Sequence, residues 1–153
     1  MAKFKLKAAK GESSRAIILS FHSKWYESLR QKQFTVVFRK MGPKSFCPDV
    51  MYAYLTRPVS AIVAKIQVPR YEVLPIGEAA ALAPQGLLTE HELRDYGTTY
   101  SELVVFWIED IRMASAPITM KKLVADFDFW PSSSFIPLSK SGQHTLDSLG
   151  HFV

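Results

Sequence analysis

The sequence holds a single cysteine, Cys47, among 153 residues. That excludes an internal disulfide and a cysteine-based zinc site. No run approaches the roughly 18 apolar residues of a membrane-spanning helix. Residues 1–10 are rich in lysine but lack the apolar stretch of a secretory signal. These absences point to an intracellular, cytoplasmic protein with no membrane partner. The usual catalytic signatures are missing too. There is no Gly-rich phosphate loop, no dinucleotide fingerprint, no G-x-S-x-G elbow and no H-E-x-x-H pair. The four histidines, His22, His91, His144 and His151, are scattered, and none has a second ligand three or four residues away. Neither a metal nor a cofactor is expected. Cys47, between Phe46 and Pro48, has no neighbour that would lower its pKa and reads as a structural, buried thiol.

What is present is enough for one folded domain. Apolar residues make up 48% and charged residues 22%, so the chain can bury a sizeable core without a staple. The net charge of +5 is unevenly placed. Residues 1–40 carry ten bases against two acids, a balance of +8. Residues 41–153 carry nine bases against twelve acids, a balance of −3. A basic first quarter suits a polyanion, or it is a solvated tail. Residues 1–15, with Lys3, Lys5, Lys7 and Lys10, read as a flexible basic arm, and residues 16–153 as a single domain.

Residues 16–21 (AIILSF) form an apolar, β-branched run and predict a buried strand. Residues 22–32 lack Gly and Pro; Ser23 offers a cap, and Trp25 and Leu29 share a helical stripe. Residues 34–38 (FTVVF) predict a second strand. Residues 41–49, with Gly42, Pro43 and Pro48, predict a loop. Residues 50–56 and 60–68 predict two strands joined tightly and antiparallel through Arg57-Pro58-Val59. Tyr71 to Leu74 extend the sheet. Residues 77–83 are Ala-rich and helical. Thr89 with Glu92 forms a capping box for a helix that Gly97 ends. Residues 103–111 (LVVFWIEDI) predict another long strand. Residues 117–123 and 130–138 read as loop-rich closing segments, and the last residues show no strong pattern. This order suggests a small α+β barrel of mostly antiparallel strands.

The acids Glu90, Glu92, Asp95, Glu102, Glu109 and Asp110 are numerous enough for acid–base work, but most fall on expected helix surfaces. The mixture of Lys24, Trp25, Tyr26, Arg30, Lys32, Phe34, Arg39, Lys40 and Lys44 is more suggestive. Cations meet phosphates and aromatic faces stack on bases, although Trp25 and Phe34 also suit a core.

Four segments together resemble the ASCH family, a branch of the PUA-like fold. Residues 18–22 (ILSFH) resemble the opening family strand, which reads like L-S-I-K-P. Residues 32–40 (KQFTVVFRK) resemble its G-x-K-T-x-E-x-R-K segment. Residues 50–63 (VMYAYLTRPVSAIV) resemble its Y-A-S-x-P-V-K-A-I-V hairpin. Residues 108–112, 116–118 and 131–135 resemble its closing strand, P-I loop and P-x-S-F element. The resemblance implies a PUA-like β-pseudobarrel of five or six mostly antiparallel strands with flanking helices and a cleft. It also implies binding of RNA or a modified nucleotide. Some bacterial members deacetylate N4-acetylcytidine with a Lys, a Thr and a Glu. At the first two positions this chain has Phe34 and Val37, and the Glu position falls near Tyr96, beside Asp95. Phenylalanine moves no proton and valine has no nucleophilic oxygen, so that activity is expected to be lost. Phe34 and Val37 are of opposite strand parity, which puts one of them on the core side.

Three readings stand open. The first is a non-catalytic module binding RNA, single-stranded DNA or a modified nucleotide. Its cleft would draw on Ser20, His22, Phe34, Arg39, Lys40, Tyr54, Thr56, Arg57 and Ser134. Lys3, Lys5, Lys7, Lys10, Lys24 and Lys32 would anchor phosphates. The second is a hydrolase or ribonuclease using Lys32, His22, Asp95 and Tyr96. The third is a protein-interaction domain with an apolar patch at Trp130-Pro131 or Phe106-Trp107.

Overall fold

The computed structural model describes residues 13–127, 129 and 135–153. The apolar run at residues 16–21 lies in β1 (Ser13–Phe21). Ile17, Leu19 and Phe21 enter one core cluster, and Ala16 and Ile18 another. Strand β3 (Val50–Leu55) divides in the same way. Met51, Ala53 and Leu55 join the first cluster, while Val50, Tyr52 and Tyr54 join the second. Both strands are covered on both faces, so neither alternates apolar with polar residues. They pair in parallel.

Six strands form one mixed sheet. Its order is β2 (Val36–Arg39), β5 (Glu102–Thr119), β4 (Ala61–Pro75), β3, β1 and β6 (Phe135–Ser139). The other four pairings are antiparallel. The fold is therefore α+β with mostly antiparallel strands, and the sheet is not closed. The β4–β5 ribbon shifts register between Ile62 and Ala64, between Lys65 and Gln67, and between Gln67 and Arg70. Such bulges bend and twist a ribbon. The bend carries the edge strand β2 back toward β1 without a ladder between them.

Helices fill the gaps. A 3-10 turn (Ser23–Trp25) leads into α1 (Tyr26–Arg30). The cap of this turn is the His22 side chain rather than Ser23. Helices α2 (Ile76–Ala81) and α3 (Glu90–Tyr96) form the insertion. They cover Val36, Phe38, Leu103 and Val105 in a third cluster. The capping box is present: Thr89 Oγ1 accepts from the Glu92 N–H, and the Glu92 carboxylate accepts from the Thr89 N–H, each at 3.0 Å. A Cβ at Gly86 would lie 2.8 Å from the Phe38 ring, so the turn before α3 packs on β2 only with glycine there.

The end of the chain departs from expectation. Residues 117–123 are not loop: they finish β5 and begin α4 (Met120–Asp126), which Thr119 caps. The patternless tail forms α5 (Lys140–Gly150), the longest helix described, capped by Ser139. Its buried positions are Gly142, Leu146 and Gly150, with Leu149 packed beside them, so its apolar stripe is short and broken by glycine. Ser13, Ser14 and Arg15 belong to β1 rather than to an arm, and Cys47, expected to be buried, is exposed in the loop before β3. The rest of the expected arm, with Lys3, Lys5, Lys7 and Lys10, lies outside the described residues. Among those described, no helix is long and apolar enough to cross a membrane.

Candidate functional site

The seam between β1 and β2 is a cleft of about 420 Å³. Ser20, Phe21 and His22 come from the end of β1, and Phe34 to Arg39 from the β2 segment, Thr35 excepted. Lys24 and Trp25 of the 3-10 turn form one rim. Gly86, Leu88, Glu92 and Tyr96 of the insertion form the other. The floor is aromatic: Phe34 lies 6.4 Å from the Phe21 ring and meets Trp25 edge-on at 6.1 Å.

Arg39 bridges the seam. One guanidinium nitrogen donates to its neighbour's carbonyl, Phe38 O, at 2.7 Å, and another to Ser20 O at 2.8 Å. The guanidinium lies 4.7 Å from the Phe21 ring centre. The side chain has no carboxylate partner among the described residues. Desolvation lowers its pKa from the usual guanidinium range to about 10, against a raising influence of Tyr96. Carbonyl oxygens and a ring face orient a cation but do not neutralise it, so an anion entering the cleft would find a poorly compensated charge. Two of the five guanidinium donors are used within the fold, and three remain.

Neighbouring groups complete the field. His22 Nδ1 accepts from the Lys24 N–H at 3.0 Å, so the neutral ring carries its proton on Nε2 and offers a donor. The Lys24 ammonium sits 5.2 Å from the Trp25 ring centre. Glu92 is the carboxylate in the cleft wall. Its pKa is lowered, chiefly by the backbone hydrogen bond from Thr89, so its charge is engaged in the cap.

The chain is similar to solved structures but to no family model and to no curated protein. It superimposes on the crystal structure of ASCH from Zymomonas mobilis with a TM-score of 0.78 at 22% identity, over 88% of this chain and 95% of that one. The chain has the ASCH fold. A single-residue variant of the Zymomonas mobilis protein agrees, with a TM-score of 0.79 at 20% identity over 90% and 98% of the two chains. The N-terminal domain of Staphylothermus marinus McrB is a more distant likeness, with a TM-score of 0.53 at 9% identity over 98% and 99%.

Within this ASCH fold, the expected site residues separate. Ser20, His22, Lys24, Phe34 and Arg39 line one cleft. Phe34 and Val37 both line it and both are buried, because Phe34 precedes the strand and parity does not govern it. Lys40 lies outside the cleft wall, with its ammonium over the Tyr96 and Tyr100 rings at 4.8 and 5.6 Å. Tyr54 is buried in the second cluster, 5.6 Å from Phe129, so it is not available there for stacking. Thr56 and Arg57 occupy the β3–β4 turn away from the cleft lining, and Lys32 is exposed outside it. Ser134 lies outside the described residues, as does Trp130-Pro131. Phe106 is fully buried and Trp107 carries Arg70 at 4.2 Å, so that pair is not an open apolar patch. Asp95 pairs with His91 at 3.2 Å on the surface of α3. The sequence reading missed Phe21, Leu88 and Glu92 as cleft residues. Glu92 was visible as a capping residue and as one of several acids on an expected helix surface, and nothing local reveals that α3 folds over β2.

Proposed function

We propose that the seam cleft binds a nucleotide unit of nucleic acid, or a modified nucleotide, without transforming it. The observation that carries this reading is Arg39: a partly buried cation, fixed at the cleft by two carbonyls, with no carboxylate partner among the described residues. A phosphate supplies the missing charge and accepts the remaining donors. Phe21, Phe34 and Trp25 offer an apolar surface to a base, and the His22 Nε2–H and Lys24 add polar contacts. The ASCH likeness supports a nucleic-acid partner at the level of the fold. RNA and single-stranded DNA are the polymers such a cleft would take, with the Lys3–Lys10 region adding salt-sensitive contacts.

The same cleft argues against the N4-acetylcytidine deacetylase chemistry. The positions that would hold its Lys and Thr are Phe34 and Val37, both apolar and both against the cleft. Neither can transfer a proton or attack a carbonyl.

The test is a salt-series titration with short single-stranded RNA and DNA, using wild type, Arg39→Ala and a chain lacking residues 1–12. The cleft reading expects Arg39→Ala to weaken binding about tenfold or more and to lower the salt slope by about one. Weakening by the deletion alone would leave the cleft without this role.

A further inference from the structure

Exposed aromatic surface is concentrated beside the cleft mouth. Tyr96 and Tyr100 are each 39% exposed and Met41 is 60% exposed. Lys40 joins them, because it sits over both tyrosine rings. Tyr96 also lines the cleft, and Lys40 follows Arg39 in the chain. The platform is thus continuous with the cleft through one shared ring and one backbone step.

We infer that Tyr96, Lys40 and Tyr100 form a second stacking position, so that the cleft's ligand is one nucleotide within a single strand rather than a free nucleotide. The inference rests on the cleft reading above. One ammonium lying over two tyrosine rings restrains both, and such restraint lowers the entropic cost of stacking. The ammonium meets the phosphate that joins the base in the cleft to the base on the platform. Stacking on an exposed ring needs an unpaired base, so a duplex is a poor ligand here.

The experiment compares nucleoside monophosphates with four-nucleotide single strands of mixed sequence, by calorimetry, on wild type, Tyr100→Ala and Lys40→Gln. Tyr100 is outside the buried core, and thermal melts check that each variant folds. The expected result is that the tetranucleotide binds at least tenfold more tightly than the best monophosphate. Tyr100→Ala should remove most of that difference and leave monophosphate binding unchanged, and Lys40→Gln should reduce it in part. Equal affinity for the two ligand lengths overturns the inference while the cleft reading stands. So does an equal loss on both ligands in Tyr100→Ala. Absence of binding to either ligand overturns the cleft reading and the platform with it.

Discussion

Two partly buried cations lie on opposite faces of the sheet, and their surroundings differ in one respect. Lys65 of β4 meets a carboxylate: its ammonium donates to Asp147 of α5 at 3.0 Å, and the other Asp147 oxygen accepts from the Tyr52 hydroxyl at 2.6 Å. Among the described residues, Arg39 meets carbonyls and a ring but no carboxylate. Each stands beside a cavity. The one near Lys65, about 360 Å³, is lined by Lys65, Gln67, Arg112, Asp147 and Phe152, and Arg112 is itself paired with Asp110 at 3.0 Å. Where every cation has its counter-ion, the cluster fastens α5 to the sheet. Where the cation has none among the described residues, its charge is left for the proposed ligand to balance. Cavity volume does not distinguish the two regions; charge balance does.

The largest expected effect follows from that contrast. Arg39→Ala should cut affinity for short single strands by about 10- to 100-fold, since one charge-assisted contact is worth roughly 1.5–3 kcal/mol. Lys65→Met should leave affinity within about twofold. Filter binding at fixed salt checks both, and equal losses would erase the distinction between the faces.

Asp147→Ala should invert the pattern. It strips the partner from Tyr52 and Lys65 together, and about 1–3 kcal/mol of stability should go, allowing for the partial exposure of the ion pair. Each kcal/mol corresponds to about 2–4 °C in Tm for a domain of this size. Calorimetry should show that drop with nucleic-acid affinity retained. Smaller still is Thr89→Ala, which removes the cap of α3 for about 1 kcal/mol. It should loosen the Glu92–Tyr96 rim and weaken binding less than threefold in the same titration.

The pH dependence sharpens the account of the fastened face. Burial, aided by Asp147, raises the Tyr52 phenol above its ordinary value of 10.0. Burial also pushes Tyr71 up to about 12. Their contribution to stability is fully present below about pH 10. Above it, unfolded phenols ionise while folded ones resist, so stability falls as pH rises toward the folded values. Urea midpoints between pH 8 and 11 should therefore decline in wild type and decline less steeply in Tyr52→Phe.

Much of the sheet was legible because its strands are apolar on both faces. The runs at residues 16–21, 50–56 and 103–111 could serve as nothing else. The capping box at Thr89 was legible because it is local. Helix α5 was not, since glycines at the buried positions 142 and 150 leave only Leu146 and Leu149 to mark its packing face. The cleft was half legible. Arg39, His22 and Phe34 stood out by type and by motif, whereas Tyr54 could not be assigned to a face without knowing that both faces of β3 are covered. Glu92 and Leu88 reach the cleft only because the insertion folds over β2. No periodicity in residues 77–97 encodes that long-range contact.

In the proposed reading Arg39, which has no carboxylate partner among the described residues, receives the ligand, and Lys65, paired with Asp147, does not. The most direct measurement follows the side-chain N–H resonances of arginine and lysine by NMR while a short single-stranded RNA is added. The account predicts that the Arg39 signal shifts and sharpens as its remaining donors find phosphate, while the Lys65 signal stays in place. Movement at Lys65 with a static Arg39 would contradict it.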